Sequence, residues 1–144
     1  MTNPLVLLVD DEVPFVETMT KRLERRALVV NTAFSGKEAL EVLGNNRNTD
    51  VAILDVKMPG MDGIETLGEI KRLFPLTEVI MLTGHGTIES AIDGMKKGAY
   101  DYLLKPCDID QLMAKVEEAT RKKRNHEDKI REAKVREAMS MHGL

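Results

Sequence analysis

A chain of 144 residues with 42% hydrophobic and 31% charged residues and a net charge of −3 has the makeup of one water-soluble domain. Its longest unbroken apolar run, residues 5–9, is far shorter than the ~20 residues a bilayer helix needs. No basic segment followed by an apolar stretch opens it, and its single cysteine, Cys107, excludes an internal disulfide and an all-cysteine metal site. No membrane contact is expected, and the expected location is cytoplasmic.

In chain order, LVLLV (residues 5–9) predicts a first strand, and Val13, Val16, Met19 and Leu23 follow at the spacing of one helix face. Residues 28–32 predict a second strand, and Ser35 with Glu38 has the cap-plus-three spacing that opens a second helix. VAIL (residues 51–54) predicts a third strand, with Asp62 and Glu65 opening a third helix. VIML (residues 79–82) predicts a fourth strand, followed by a helical stripe of Ile88, Ala91, Ile92 and Met95. Residues 101–104 predict a fifth strand, and Asp108 with Gln111 opens a helix striped by Ile109, Leu112, Met113, Val116 and Ala119. Three of these strands are continuous apolar runs, as expected when helices cover both faces of a parallel sheet. Strict alternation then gives an α/β class, a doubly wound sheet of five βα units in a three-layer sandwich.

The apolar stripe stops after Ala119. Residues 121–137 hold eight Lys/Arg and four Asp/Glu, so a polar, basic tail of charge +4 follows an acidic body. Residues 1–120 are expected to form the domain and residues 121–144 a solvated helical extension. The register carried from Val116 places Lys123 and His126 at seam positions, which argues against a long coiled coil. No helix-turn-helix pattern supports binding of nucleic acid, although a basic tail adds electrostatic affinity for it.

The chemistry collects after the strands. LVLLV is followed by Asp10, Asp11 and Glu12, VAIL by Asp55, VIML by Thr83, and the fifth strand by Lys105. In an open parallel sheet these positions share the carboxyl edge, where ligands bind. With strand order 2-1-3-4-5, strands 1 and 3 are neighbours, and Asp10, Asp11 and Asp55 meet with Thr83 and Lys105 on their flank. Such carboxylates raise one another's pKa unless a cation intervenes, and a hard divalent ion with oxygen ligands is the natural one. A carboxylate, a cation, a lysine and a hydroxyl around one point suit a phosphoryl group. Taken alone, an acidic pair such as Asp10–Asp11 serves equally well as a helix cap.

The run from Asp55 through Val56-Lys57-Met58-Pro59-Gly60-Met61-Asp62-Gly63 resembles the phosphoacceptor loop of two-component response-regulator receiver domains, which are CheY-like. Val9-Asp10-Asp11-Glu12, Leu82-Thr83-Gly84 and Leu104-Lys105-Pro106 resemble that family's other signatures, in the same order. The resemblance implies that Asp55 accepts a phosphoryl group from a sensor histidine kinase or a histidine phosphotransfer protein. It implies Mg²⁺ (or Mn²⁺) held by Asp11, Asp55 and the backbone carbonyl of Lys57, with Asp10 helping through water. Lys105 and the Thr83 hydroxyl would each take a phosphoryl oxygen, Tyr102 would act as the switch aromatic, and Lys105–Pro106 would be cis. Lys57 and His85 flank the site, where side chains influence water access to the phosphoryl group. The readout surface would be the fourth helix, fifth strand and fifth helix, contacting a downstream protein target or a second copy; the C-terminal helix is the other route to a dimer.

Thr83-Gly84-His85-Gly86-Thr87-Ile88 and the long last helix resemble receivers that precede sigma-54-type (NtrC-like) activator modules, so a transcription regulator with its output domain elsewhere is the alternative. A metal-dependent phosphohydrolase with an Asp nucleophile accounts for Asp10 and Glu12, but not for the Met58-Pro59-Gly60 loop or Tyr102. A flavin-binding domain of the same topology would bring its phosphate against three acids.

Overall fold

Five strands and five helices alternate along the chain: β1 (Leu5–Val9), α1 (Val13–Glu24), β2 (Val29–Ala33), α2 (Gly36–Asn45), β3 (Val51–Leu54), α3 (Gly63–Leu73), β4 (Glu78–Thr83), α4 (Ile88–Lys96), β5 (Asp101–Leu104) and α5 (Ile109–Met141). The structure is a computed structural model that describes residues 2–143. All strands run parallel in one sheet of order β2-β1-β3-β4-β5, so the winding direction reverses between β1 and β3.

Side chains of a strand alternate between faces, and each apolar strand therefore feeds two cores. Val6 and Leu8 of β1 pack with Val16 and Leu23 of α1 and Leu112 and Val116 of α5. Leu7 and Val9 pack on the opposite face with Leu43 of α2 and Leu67 and Ile70 of α3. A strand used on both faces has no polar position to spare, which is why β1, β3 and most of β4 read as unbroken apolar runs.

Three local expectations shift. β2 begins one residue later than its apolar content suggests, because the ladder is set by Val29 N donating to Pro4 O. β4 is one residue longer at each end, so Thr83 closes the strand instead of following it. Asp108 caps α5 by accepting from Asp110 N and not from Gln111, the shorter of the two reaches open to a cap carboxylate. Ser35 and Asp62 do accept from Glu38 N and Glu65 N.

The last helix departs most from the pattern. α5 runs 33 residues without a break, and its buried face continues past Ala119 through Thr120 and Lys123. Lys123 is 4% exposed and donates to Asn48 O while pairing with Asp50 and Glu127. Its neighbour Arg124 pairs with Asp50 and donates to the carbonyls of Thr2 and Asn3. Charge thus replaces hydrocarbon for one further turn of packing. From residue 128 to residue 143 every side chain is exposed.

Candidate functional site

The ladder between β1 and β3 pairs Val9 with Leu54, which sets the next residues, Asp10 and Asp55, side by side at the carboxyl edge. Both are 1% exposed. Asp10 is fully engaged: Oδ1 accepts from Glu12 N at 2.9 Å, and Oδ2 accepts from Lys105 Nζ at 2.6 Å. Asp55 is not. Its Oδ1 accepts from Val56 N at 2.8 Å, while the buried Oδ2 has no hydrogen-bond partner. Burial drives the Asp55 pKa above the ordinary carboxylate range; the nearby Thr83 hydroxyl and Lys105 oppose this, and the charge of Asp10 adds to it.

Asp11 completes the cluster from the exposed side, and the three carboxylates offer oxygens within 4.8 Å of one another. A buried, unpartnered carboxylate oxygen beside two further carboxylates fits a hard divalent cation with oxygen ligands. The loop that follows is drawn in tightly: Gly63 N donates to Val56 O at 2.7 Å, and a Cβ at Gly63 would overlap the Asp55 carbonyl. Glycine is required there by that close approach.

Lys105 follows β5, and its backbone N donates to Thr83 O at 2.9 Å, which ties it to the end of β4. Its peptide bond to Pro106 is cis. Its ammonium also lies 3.7 Å from Glu12 Oε1 and 3.9 Å from the centre of the Phe15 ring. Thr83 is fully buried, and its hydroxyl accepts from His85 N at 3.1 Å. The side chains of Lys57 and His85 are exposed and make no hydrogen bond or ion pair among the described residues. Asp10, Asp11, Asp55, Thr83 and Lys105 are therefore brought together, with Lys57 and His85 on the rim.

Tyr102 is half-buried and pairs its hydroxyl with Ser90 Oγ at 2.7 Å, on the first turn of α4. Ser90 and Thr87 cap that helix reciprocally. The tyrosine passes close to Gly86, where a Cβ would approach its hydroxyl to 3.0 Å and Leu104 Cδ2 to 2.5 Å. Around it Ile88, Ile92, Met95 and Leu104 are exposed hydrophobics. Sequence reasoning missed Ser90 because serine stands where a capping box carries Glu or Gln. It also missed Phe15, for which the available signal was an aromatic ring in the first helical turn after the acids.

An acidic pocket at the switch point of a 2-1-3-4-5 sheet, flanked by a threonine and a lysine from the ends of the next two strands, defines a receiver of the response-regulator kind. Residues 6–117 match the response regulator receiver domain family, and the chain belongs to it. It is 38% identical over 119 residues to the DNA-binding transcriptional regulator NtrC of Escherichia coli (strain K12), a match covering 83% of this chain and 25% of that protein. The transcriptional regulatory protein ZraR of the same organism is 40% identical over 114 residues, 79% of this chain and 26% of that one. The chain thus spans about a quarter of the length of these curated relatives. A response regulator receiver domain protein from Clostridium thermocellum superimposes with a TM-score of 0.80 at 38% identity, covering 84% of this chain and 97% of that one. No helix among the described residues is long and apolar enough to cross a membrane.

Proposed function

We propose that the chain is a phospho-aspartate switch in which Asp55 takes a phosphoryl group from the phosphohistidine of a sensor histidine kinase or histidine phosphotransfer protein. The observation that carries this is the buried Asp55 Oδ2 without a partner, set against Asp10 and Asp11 and beside Lys105 and Thr83. In the reaction Asp55 Oδ2 attacks phosphorus, the P–N bond breaks, and its electron pair stays on the donor imidazole. Mg²⁺ or Mn²⁺, held by Asp11, Asp55 and the Lys57 carbonyl with Asp10 assisting through water, would supply positive charge against the phosphoryl oxygens.

Phosphorylation replaces one charge on Asp55 with roughly two and adds three acceptor oxygens. Lys105, paired with Asp10 at 2.6 Å, gains a further anion to bind. The Thr83 hydroxyl, an acceptor from His85 N, gains an oxygen to which it can donate. Two charge-assisted contacts of about 1.5–3 kcal/mol each approach the ~5.5 kcal/mol that carries a two-state equilibrium from 1:99 to 99:1. Movement of Thr83 would draw Tyr102 from Ser90 and loosen the first turn of α4, changing the α4–β5–α5 surface offered to a downstream protein or a second copy. Lys57 and His85 would set how readily water returns to hydrolyse the acyl phosphate.

Residues 1–120 would form the switch and residues 121–144 its helical extension. The second reading, a receiver within a transcription regulator, is favoured by NtrC and ZraR as relatives and by the 33-residue α5. Intact-mass spectrometry after incubation with acetyl phosphate, with and without Mg²⁺ and beside Asp55→Asn, tests the common core of both. A single phosphoryl adduct that needs the cation and is lost in the variant is expected; a folded protein that gains no adduct with Mg²⁺ present overturns the reading.

A further inference from the structure

Lys105 is held on three sides, and only two of them are acidic. Its ammonium, with the side chain 16% exposed, donates to Asp10 at 2.6 Å and lies 3.7 Å from Glu12, beyond hydrogen-bond reach. The third side is the face of Phe15, 3.9 Å from Nζ to the ring centre. Phe15 belongs to the first turn of α1, directly behind Pro14, and packs against the core shared by α1, α5 and the sheet. The ring is anchored in that core and turns its electron-rich face to the cation.

We infer that Phe15 is a positioning residue for phosphoryl capture, holding the Lys105 ammonium against Asp10 on the flank of Asp55 without neutralising it; this rests on the role given to Lys105 above. Lysine carries its charge on a flexible four-carbon stem, and an unconfined ammonium near the surface would be drawn into water. A third carboxylate would confine it too, but would compete with the incoming phosphoryl oxygens for its protons. An aromatic face attracts the cation through its quadrupole and takes no N–H from it. Lys105 has three such protons, and Asp10 engages one. The ring therefore keeps the ammonium in place and leaves its remaining donors for the phosphoryl group.

The test varies the electron density of the ring at nearly constant size. Mono-, di- and trifluorophenylalanine are placed at position 15, with Phe15→Leu and Phe15→Tyr beside them, and the rate of acetyl phosphate-driven adduct formation is measured at saturating Mg²⁺. Phe15→Leu is expected to slow the adduct roughly three- to tenfold, the range set by a partly desolvated cation–ring contact. Phe15→Tyr, which keeps the ring, recovers most of the rate, and the fluorinated series loses it stepwise with each fluorine. In the unphosphorylated protein the ring shifts the Lys105 ε-methylene NMR signals upfield, and Phe15→Leu returns them to ordinary positions. A flat fluorine series with normal wild-type phosphorylation overturns the role of Phe15 and leaves that of Asp55 standing. A wild-type chain without any adduct removes the underlying reading and this role with it. Unshifted Lys105 methylene signals in the wild type overturn the contact itself.

Discussion

Two aspartates bracket the same four-residue strand. Asp50 precedes β3 and Asp55 follows it, roughly 16 Å apart along an extended backbone. Both are nearly inaccessible, at 3% and 1% exposure, yet their carboxyl groups move in opposite directions. Burial alone would raise the Asp50 pKa, but Arg124, the Leu5 amide at 2.9 Å and Lys123 outweigh it and hold it below the ordinary range. Burial raises the Asp55 pKa, and its surroundings do not reverse the shift. The difference is one of completeness. Asp50 has every lone pair directed at a donor, as a carboxylate that holds a fold together should. Asp55 is buried at similar depth with one oxygen left over, and that oxygen is where a reaction can take place.

The comparison breaks most visibly by exchanging each carboxylate for its amide. Asp55→Asn should abolish the phosphoryl adduct altogether in intact-mass measurements, whereas Asp50→Asn should leave it in place. In thermal unfolding the ranking reverses. Asp50→Asn leaves Lys123 and Arg124 without their buried counter-charge and should cost about 3 kcal/mol, a fall in Tm of roughly 10 °C. Mg²⁺ at about 100 times its Kd should add roughly 2.7 kcal/mol to the stability of the wild-type chain and much less to that of Asp55→Asn.

The pH dependences sharpen the contrast. Asp50, with its pKa lowered, contributes stability that is present above the unfolded-state value and is lost as pH falls through the folded value. The deficit of Asp50→Asn should therefore shrink in acid. Asp55, with its pKa raised, makes the folded chain bind its proton more tightly than the unfolded chain does, so stability is lost as pH rises through the folded value. In the absence of divalent ions Asp55→Asn should melt above the wild type at neutral pH and converge with it in acid. The smallest effect expected is a partial repair: Lys123→Met in the Asp50→Asn background should recover about 1 kcal/mol by removing a buried cation left with only the partly exposed Glu127 as counter-charge.

Asp55 was legible in the sequence because its signal is local: an apolar run of four residues, then an acid, with Thr83 and Lys105 in the same relation to their own strands. The alternation of strand and helix follows from similar local cues, and the pocket follows once strands 1 and 3 are taken as neighbours, a pairing that the resemblance to receiver domains implies and the ladder bears out. Asp50 was not legible. Its partners Lys123 and Arg124 lie more than 70 residues away, inside a charge run that has the composition of a solvated helix face. Nothing in the neighbourhood of Lys123 distinguishes a lysine that is buried from one in water; only the path of α5 past the amino edge of the sheet decides it. The contact of Phe15 with Lys105 was hidden in the same way, by two elements far apart in the chain.

The Asp50 cluster also gives the molecule a lever. Beyond Arg124 the helix carries no buried residue except the partly covered Glu127, so α5 from there to Met141 is an exposed arm roughly 25 Å long, clamped at its Asp50 end. Its first half packs on β3 and β4, and the exposed half begins where the contacts with Asp50 end. A tilt of only about 5° at the clamp would swing the far tip by roughly 2 Å, so a change too slight to disturb the core would be magnified where the helix stands clear of it.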